Sequence, residues 1–196
     1  EFIPGGDDAM RVLNSYSDLD GHVRAMCLGQ PVLEYYDPKS VGNYAAIISR
    51  GDQALYEKMQ EFLEKLGYVG FSNIDMKYDC RTGRYVFFEI NPRLGRSSYF
   101  CRAAGLNMMK LLTDDIVYGK REECIYNHTV ALWQNVPTGI LRRYVKNSEL
   151  AEELKAFKGT HVLFCKGDLP LPRLYRLLRY YGAQYHNFRD YYFDKK

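Results

Sequence analysis

The sequence lacks the residue patterns that mark several common kinds of site. Its five cysteines are odd in number and never spaced as Cys-x-x-Cys, which disfavours a disulfide framework and a zinc ribbon. Its four histidines include no pair four residues apart, so two imidazoles do not share a helix face as a metal site would need. No Gly-x-Ser-x-Gly motif and no evident cysteine–histidine pair indicates a protein nucleophile. We therefore expect reduced, packed thiols and chemistry without a covalent enzyme intermediate.

Long apolar runs and concentrated charge of one sign are also missing. No stretch approaches the roughly 18 residues that would span a bilayer, and no signal-peptide pattern opens the chain. Lys and Arg number 27 against 24 Asp and Glu, far from the basic excess of a typical nucleic-acid binder. We therefore expect a soluble, cytoplasmic protein that binds neither membranes nor nucleic acid.

Length and composition fit one compact domain with a smaller appendage. The chain has 196 residues, of which 46% are hydrophobic, so it can bury a substantial core. It opens with Glu1-Phe2-Ile3-Pro4-Gly5 and no methionine, and we interpret it as a fragment of a longer protein. A site shared with preceding sequence would then be only partly contained in these residues.

The first part of the chain is strand-rich and carries one clear helix. Two strands are predicted around residues 17–21, where Ser, Asp and Gly cluster as they do in turns. At residues 53–66 the apolar side chains recur at helical spacing, which predicts an amphipathic helix.

A β-hairpin and a second helical stretch follow. Residues 69–78 and 85–90 are rich in β-branched and aromatic residues, and the Thr-Gly between them suits a tight connection. Helical spacing then runs from Ser97 or Ser98 to Ile116, with Gly105 as an interruption or cap. Together with the preceding elements, this predicts an α+β fold with a mainly antiparallel sheet and flanking helices.

The segment after Lys120 has a different character and is predicted to be a small C-terminal appendage. Residues 148–157 read as a charged helix, and Pro170 or Pro172 opens a short helix with leucines on one face. The arginines of that helix either remain in water or bind an anionic substrate, and we favour the first interpretation.

The strongest chemical feature is a set of oxygen ligands on the predicted hairpin. Asp75 lies on the first strand, and Glu89 and Asn91 lie at the end of the second. Because side chains alternate along a strand, Glu89 and Asn91 share one face, and antiparallel pairing can bring Asp75 to it. Two carboxylates and an amide oxygen suit Mg²⁺, or Mn²⁺, better than zinc or a redox metal.

Two arginines follow directly after these acidic residues. Arg93 and Arg96 are placed where a planar guanidinium can bind phosphate through two hydrogen bonds. Such groups offset the charge that develops during phosphoryl transfer, and we predict a catalytic role for both.

Residues 73–105, with the run EINPRLGRSS at their centre, resemble the C-terminal lobe of the ATP-grasp superfamily. They are similar to the nucleotide-binding part of carbamoyl-phosphate synthetase large chains and of carboxylate-amine ligases of the D-aspartate ligase group. The opening Glu1-Phe2-Ile3-Pro4-Gly5 resembles the hinge strand of that superfamily. The resemblance covers about residues 1–120, the predicted lobe, and leaves residues 121–196 as an extension of unassigned role.

The resemblance implies roles for the metal-site residues and the arginine beside them. Glu89 would bridge metal ions, Asn91 and Asp75 would complete the metal shell, and Arg93 would contact the transferred phosphate.

It also implies how the nucleotide is bound. The backbone of Glu1, Phe2 and Ile3 would read the adenine edge, Asp8 would meet the ribose, and Phe88 would pack on adenine. Lys39 either reaches a phosphate or the substrate, or is an exposed loop lysine.

By this resemblance, the protein is an ATP-dependent carboxylate-amine ligase. With Mg-ATP it would activate a small-molecule carboxylate as an acyl-phosphate, which a small-molecule amine then attacks. Upstream ATP-grasp domains of the same polypeptide would supply the glycine-rich loop and lysines that hold the phosphates, and this fragment alone would be inactive. A carbamoyl-phosphate-synthetase-like module and a non-catalytic nucleotide-binding domain are the alternatives, and the oligomeric state is left open.

Overall fold

A computed structural model describes residues 2–164 and 167–192. Within these residues it forms one eight-stranded sheet. Its strands are β1 (Met10–Ser17), β2 (Val23–Glu34), β3 (Tyr44–Arg50), β4 (Gly70–Asp79), β5 (Arg84–Asn91), β6 (Ile125–Asn127), β7 (Leu132–Gln134) and β8 (Thr160–His161). The helices are α1 (Gln53–Lys65), α2 (Tyr99–Ala103), α3 (Met108–Tyr118), α4 (Thr138–Tyr144), α5 (Ser148–Lys155) and α6 (Leu171–Tyr191).

The strand order is β5-β4-β1-β2-β3-β7-β8, with β6 paired to β2 off this path. The pairs β2–β6 and β7–β8 are parallel, and the others are antiparallel. The predicted α+β class with a mainly antiparallel sheet is therefore confirmed.

The predicted turn between β1 and β2 is held by one buried carboxylate. Oδ1 of Asp18 accepts hydrogen bonds from the backbone N–H groups of Asp20 at 3.0 Å and His22 at 2.9 Å. Its Oδ2 accepts a hydrogen bond from Nε of Arg24 at 2.7 Å. Gly21 takes φ +82°, a conformation that a side chain disfavours. This local hydrogen bonding sets the register of the two strands.

The two faces of the sheet are covered by different helices, because successive strand residues point to opposite sides. Leu13 of β1 packs with Leu55, Met59 and Leu63 of α1. Val12, the neighbour of Leu13, packs on the other face with Phe100 of α2. The predicted helix over residues 53–66 is confirmed as α1, and the N-cap side chain of Asp52 accepts from the backbone N–H of Leu55 at 3.0 Å.

The helical stretch predicted over residues 97–116 is two helices, α2 and α3, as the interruption at Gly105 suggested. Gly105 adopts φ +87°, which ends α2, and the side chain of Asn107 caps α3 by accepting from the N–H of Lys110 at 3.2 Å. Helix α2 begins at Tyr99, one residue after Ser98, the later of the two predicted starts.

The segment after Lys120 contributes strands to the same sheet. β6 pairs with β2 and β7 pairs with β3, and Leu132, Ile140 and Phe188 share a buried cluster with Val32. The division into a lobe of residues 1–120 and an extension of residues 121–196 stays a prediction, and the two parts share a buried cluster.

The C-terminal helix is longer than the predicted short helix. α6 has 21 residues and begins after Pro170. The buried face opened by Leu177 continues through Gln184 and Phe188, so packing sustains the helix past Gly182.

The opening segment differs from the hinge strand that the resemblance implied. Residues 2–6 have no regular secondary structure and lead into a 3₁₀ turn at Asp7–Ala9. Pro4 has no N–H to donate to a strand, and Gly5 has φ +117°, which interrupts extended backbone. Lys77 Nζ instead donates to the carbonyls of Ile3 and Gly5, each at 2.8 Å. Glu1 lies outside the described residues.

Across residues 2–164 and 167–192, none of the helices has both the length and the apolar content that crossing a membrane requires.

Candidate functional site

The β4–β5 hairpin brings the predicted metal-site residues together. Asp75 of β4 is the direct cross-strand partner of Glu89 of β5, and Asn73 is the partner of Asn91. Residues two apart on a strand share a face, so all four side chains lie on the side of the sheet that α2 also covers. The hairpin itself was predicted, and its register gives the pairing that a shared site needs.

A β-bulge at Phe88 makes this arrangement possible. The pairing passes from Asp75–Glu89 directly to Met76–Phe87, so Phe88 has no partner on β4. In a regular strand Phe87 and Glu89 would point the same way, because they are two residues apart. The extra residue turns Phe87 to the opposite face and leaves Glu89 on the polar one.

These residues line a pocket of about 230 Å³ between the hairpin, the start of β3 and the loop that precedes α2. Its walls are Gly42, Asn43, Tyr44, Asn73, Asp75, Glu89, Asn91, Arg93, Gly95, Arg96 and Ser97. Of the predicted site residues, the pocket therefore collects all three metal ligands and both arginines.

Asp75 is the half-buried carboxylate at the base of this pocket. Burial raises the pKa of Asp75, and the charge of Glu89 raises it further. A hydrogen bond from Tyr44 Oη to Asp75 Oδ1, 3.1 Å long, and the charge of Arg93 act in the opposite direction. A carboxylate whose ionised form is disfavoured, with a second carboxylate beside it, is a site that a divalent cation would stabilise.

Asn73 is fixed by a chain of hydrogen bonds beneath the pocket. Its Nδ2 donates to Asn14 Oδ1 at 2.9 Å, and Asn14 Nδ2 donates to Cys101 Sγ at 3.4 Å. A Cβ at Gly95 would lie 2.9 Å from Asn73 Nδ2, so the loop approaches this amide as closely as only glycine allows. The glycine of the EINPRLGRSS run is thus explained by close packing against Asn73.

The two arginines have no acidic partner among the described residues. Neither forms an ion pair there, although other arginines of the described chain do, such as Arg24 with Asp18 and Arg50 with Glu153. Arg93 donates to the carbonyl of Leu94 at 3.3 Å, and the Arg96 guanidinium lies 5.9 Å from the centre of the Tyr35 ring. Two guanidinium groups with free donors beside two carboxylates match a metal-bound anion.

The residues predicted to bind the nucleotide lie outside this pocket. Phe2 is 84% exposed, with Lys77 Nζ 5.4 Å from its ring centre, and Phe88 is 53% exposed. Asp8 lines a separate pocket, where its Oδ2 accepts from Asn147 Nδ2 at 2.9 Å. Lys39 is exposed in the loop whose later residues reach the first pocket. Their roles remain predictions.

Sequence reasoning missed Tyr44, Asn43 and the orienting role of Asn73. Tyr44 lies 31 residues before Asp75, in a strand without any local motif, so nothing in the sequence links the two. A group of three or more His, Cys, Asp or Glu side chains suited to a metal is not found in the described part of the chain. A cation in the pocket would therefore depend on amide oxygens and substrate phosphates as well as on two carboxylates.

Comparison with known proteins identifies a family model and a protein that this chain resembles. Residues 45–113 match the family model described as carbamoyl-phosphate synthase L chain, ATP binding domain. The chain is 42% identical over 197 residues to a D-aspartate ligase of Enterococcus faecium (strain Aus0004), across 96% of this chain and 46% of that protein. The predicted resemblance to the ATP-grasp superfamily is confirmed. The family-model match begins in β3 and ends in α3, so it includes eight of the eleven residues that line the pocket and leaves out Gly42, Asn43 and Tyr44.

Solved structures similar to this chain include two biotin carboxylases. The biotin carboxylase domain of the Hydrogenobacter thermophilus 2-oxoglutarate carboxylase, in complex with MgADP, ADP and bicarbonate, has a TM-score of 0.47 and 13% identity, covering 63% of this chain and 28% of that one. A Campylobacter jejuni biotin carboxylase has a TM-score of 0.45 and 13% identity, covering 62% and 28%. The chain spans less than half the length of the curated relative that it matches.

Proposed function

We propose that this chain forms one wall of the active site of an ATP-dependent carboxylate-amine ligase. The observation that carries the proposal is that Asp75, Glu89, Arg93 and Arg96 all line the same pocket. Paired carboxylates suit a magnesium ion, and free guanidinium groups suit the phosphates that such an ion binds. The ATP-grasp family model and the similarity to a D-aspartate ligase support the same reaction class.

Asp75, Glu89 and Asn91 would hold Mg²⁺, or Mn²⁺, at the polar face of the hairpin. The donor set fits, because hard divalent cations prefer carboxylate and amide oxygens. When bound, the ion would neutralise phosphate charge and orient the γ-phosphate. Tyr44 leaves Oδ2 of Asp75 available by donating only to its Oδ1.

The residues of this chain would act by positioning and by charge. The charge of Arg93 acts to lower the pKa of Asp75, so Arg93 lies near the proposed metal ligands. It would bind the γ-phosphoryl group as that group moves from ATP to the substrate carboxylate. The products of that step are an acyl-phosphate and ADP. Attack by the amine on the acyl carbon then breaks the bond to phosphate and forms the amide. No protein nucleophile takes part.

The remaining predicted contacts are part of this proposal. Residues 1–3 would present backbone to the adenine, Phe88 would pack on it, and Asp8 would meet the ribose. Lys39 would reach a phosphate or the acid substrate from the loop before β3. Further ATP-grasp domains of the same polypeptide would form the opposite wall, and the reaction would take place in the cytoplasm.

The acid substrate that the similarity supports is D-aspartate, or a closely related amino acid. The test is the formation of ADP by the complete protein with Mg-ATP, D-aspartate and a panel of amines. We expect ADP formation to require both the acid and Mg²⁺, and to be lost in Glu89→Gln but kept in Glu123→Gln, an exposed control. Equal rates in both variants would refute the assigned site.

The matched family model favours a carbamoyl-phosphate-synthetase-like module as the second candidate. That module would use bicarbonate, in place of a substrate carboxylate, as the acceptor of the γ-phosphoryl group. ADP formation that needs bicarbonate and ignores amino acids would select it, and tight Mg-ATP binding without turnover under any condition would select a non-catalytic nucleotide-binding domain.

A further inference from the structure

The side chain of Arg96 lies beside a buried aromatic ring, that of Tyr35, which we call the platform. Its guanidinium lies 5.9 Å from the centre of the Tyr35 ring, and Tyr35 is only 3% exposed. A cation–π contact with an aromatic ring leaves the N–H groups of a guanidinium free for a planar anion. This contact of Arg96 therefore does not use its hydrogen-bond donors.

Residues that follow Lys120 hold the platform in place. Asn135 Nδ2 donates to Tyr35 Oη at 3.0 Å, and Tyr35 Oη donates to the carbonyl of Asn135 at 3.2 Å. The same Nδ2 lies 3.3 Å from Tyr180 Oη of α6, and the ring of Phe188 lies 6.1 Å from that of Tyr35. A segment without chemistry of its own thus fixes a residue next to the pocket.

Tyr35 also anchors the wall of the pocket beside Arg96. Its backbone N–H donates to the carbonyl of Asn43 at 2.9 Å, and Gly42 and Asn43 line the pocket. One buried tyrosine therefore sets the position of both the guanidinium and the loop that faces it.

The two arginines differ in their electrostatic partners. Arg93 lies close enough to Asp75 for its charge to lower the pKa of that carboxyl, whereas the Arg96 guanidinium lies beside the Tyr35 ring. We therefore assign Arg93 to the metal and the phosphate, and Arg96, which lines the same pocket, forms no ion pair with the described residues. An unpaired guanidinium held in one orientation is suited to a second carboxylate.

We propose that Arg96, positioned by Tyr35, forms a subsite for the non-reacting carboxylate of an amino dicarboxylic acid. The inference rests on the proposed function, in which one carboxylate of that acid is phosphorylated beside Arg93. Tyr35 is a positioning residue, and Asn135 and Tyr180 act through it. The C-terminal segment thereby contributes to substrate selection without touching substrate.

The test compares D-aspartate with β-alanine, which is the same molecule without the α-carboxylate. Binding of each is measured by calorimetry to the complete protein in the presence of Mg²⁺ and a non-hydrolysable ATP analogue. For the wild type we expect D-aspartate to bind roughly 100-fold more tightly than β-alanine, as for a charged hydrogen-bonded pair. Arg96→Leu should remove that preference and leave β-alanine binding unchanged, whereas the control Arg102→Leu, an exposed residue of α2, should keep it.

The positioning role of Tyr35 is tested by two variants, one that keeps the aromatic ring and one that removes it. Tyr35→Phe keeps the ring but loses the hydrogen bonds with Asn135, so it should lose part of the preference, and Tyr35→Leu should lose more, roughly tenfold, with the KM for D-aspartate rising more than kcat falls. Equal loss of D-aspartate and β-alanine binding in Arg96→Leu, or no binding of D-aspartate by the wild type, would overturn the subsite. ADP formation in the same preparations reports separately on the proposed ligase activity.

Discussion

The two faces of the β4–β5 hairpin serve different purposes with alternate residues of the same strands. The polar face carries Asp75 and Glu89 in a pocket of about 230 Å³. The opposite face carries Phe87 and Ile90, which form with α1 an apolar groove of about 570 Å³. No ion pair neutralises the acidic residues of the first face among the described residues, whereas the opposite face buries Ile74 and Met76 in the core and leaves Phe87 and Ile90 45% and 38% exposed in the groove. One hairpin can therefore carry a candidate site and support the core, because the pleat separates the two sets of side chains.

The contrast extends to the hydrogen bonds at each face. In the groove, the carboxylate of Asp52 is used fully, since it caps α1 and accepts from Tyr85 Oη at 2.8 Å. In the pocket, and counting only contacts within residues 2–164 and 167–192, Asp75 has one side-chain hydrogen-bond partner, Tyr44, and Arg96 lies beside the Tyr35 ring without an ion pair. Groups that are satisfied internally stabilise the fold, and groups left unsatisfied are available for a ligand.

The largest effect on stability is expected from the apolar face. Ile74 is fully buried and lies between the neighbouring strands β1 and β5. Ile74→Ala should lower the free energy of unfolding by about 2–5 kcal/mol, because it leaves a cavity in the core. Urea unfolding of the complete protein measures this. A loss below about 1 kcal/mol would show that the core relaxes around this site.

The polar face should show the reverse behaviour. Glu89→Gln should reduce the rate of ADP formation roughly 100-fold, because a carboxylate ligand of the proposed magnesium ion is lost. Its free energy of unfolding should change by no more than about 0.5 kcal/mol, since the side chain is exposed. Steady-state kinetics with urea unfolding of the same sample tests both parts. A large loss of stability would contradict the separation of the two faces.

The junction of α1 with the groove should show an intermediate effect. Asp52→Ala removes the N-cap of α1 and the acceptor of Tyr85, and it should cost about 1–2 kcal/mol of stability. Asp52→Asn, which can still cap the helix, serves as the matched variant and should recover most of the loss. The midpoint of thermal unfolding reports both. Equal destabilisation by Asn and Ala would mean that the carboxylate charge matters more than the cap.

The smallest effect is expected at alkaline pH. Burial, followed by the hydrogen bond to Asp52, raises the pKa of Tyr85 from 10.0 to about 12. A raised folded-state pKa means that this stabilising contribution is complete below pH 10 and is lost as the pH rises towards about 12. Tyr85→Phe should therefore lose less stability than the wild type across that window. Identical pH profiles in the two proteins would disprove the assignment.

Local sequence was sufficient for the main elements of the fold. The apolar spacing that defines α1, the turn residues around Asp18 and the Thr-Gly of the hairpin each act over a few neighbouring residues. The acidic and basic residues of the site could also be selected from sequence, because Glu89, Asn91 and Arg93 follow one another within a single motif. The extension of α6 past Gly182 could not, since buried contacts from distant strands sustain it.

What the sequence by itself determined is the chemistry of the site: a pair of acids on a hairpin, followed by two arginines. Only the tertiary structure decided how these groups are arranged. The bulge at Phe88 sets the face of Glu89, and an alternating pattern of apolar and polar residues does not reveal an unpaired residue. Tyr44 contacts Asp75, which lies 31 positions later in the chain. Tyr35 contacts Arg96, which lies 61 positions later. Such contacts depend on which strands become neighbours, and that is settled by burial of the whole core rather than by any local signal.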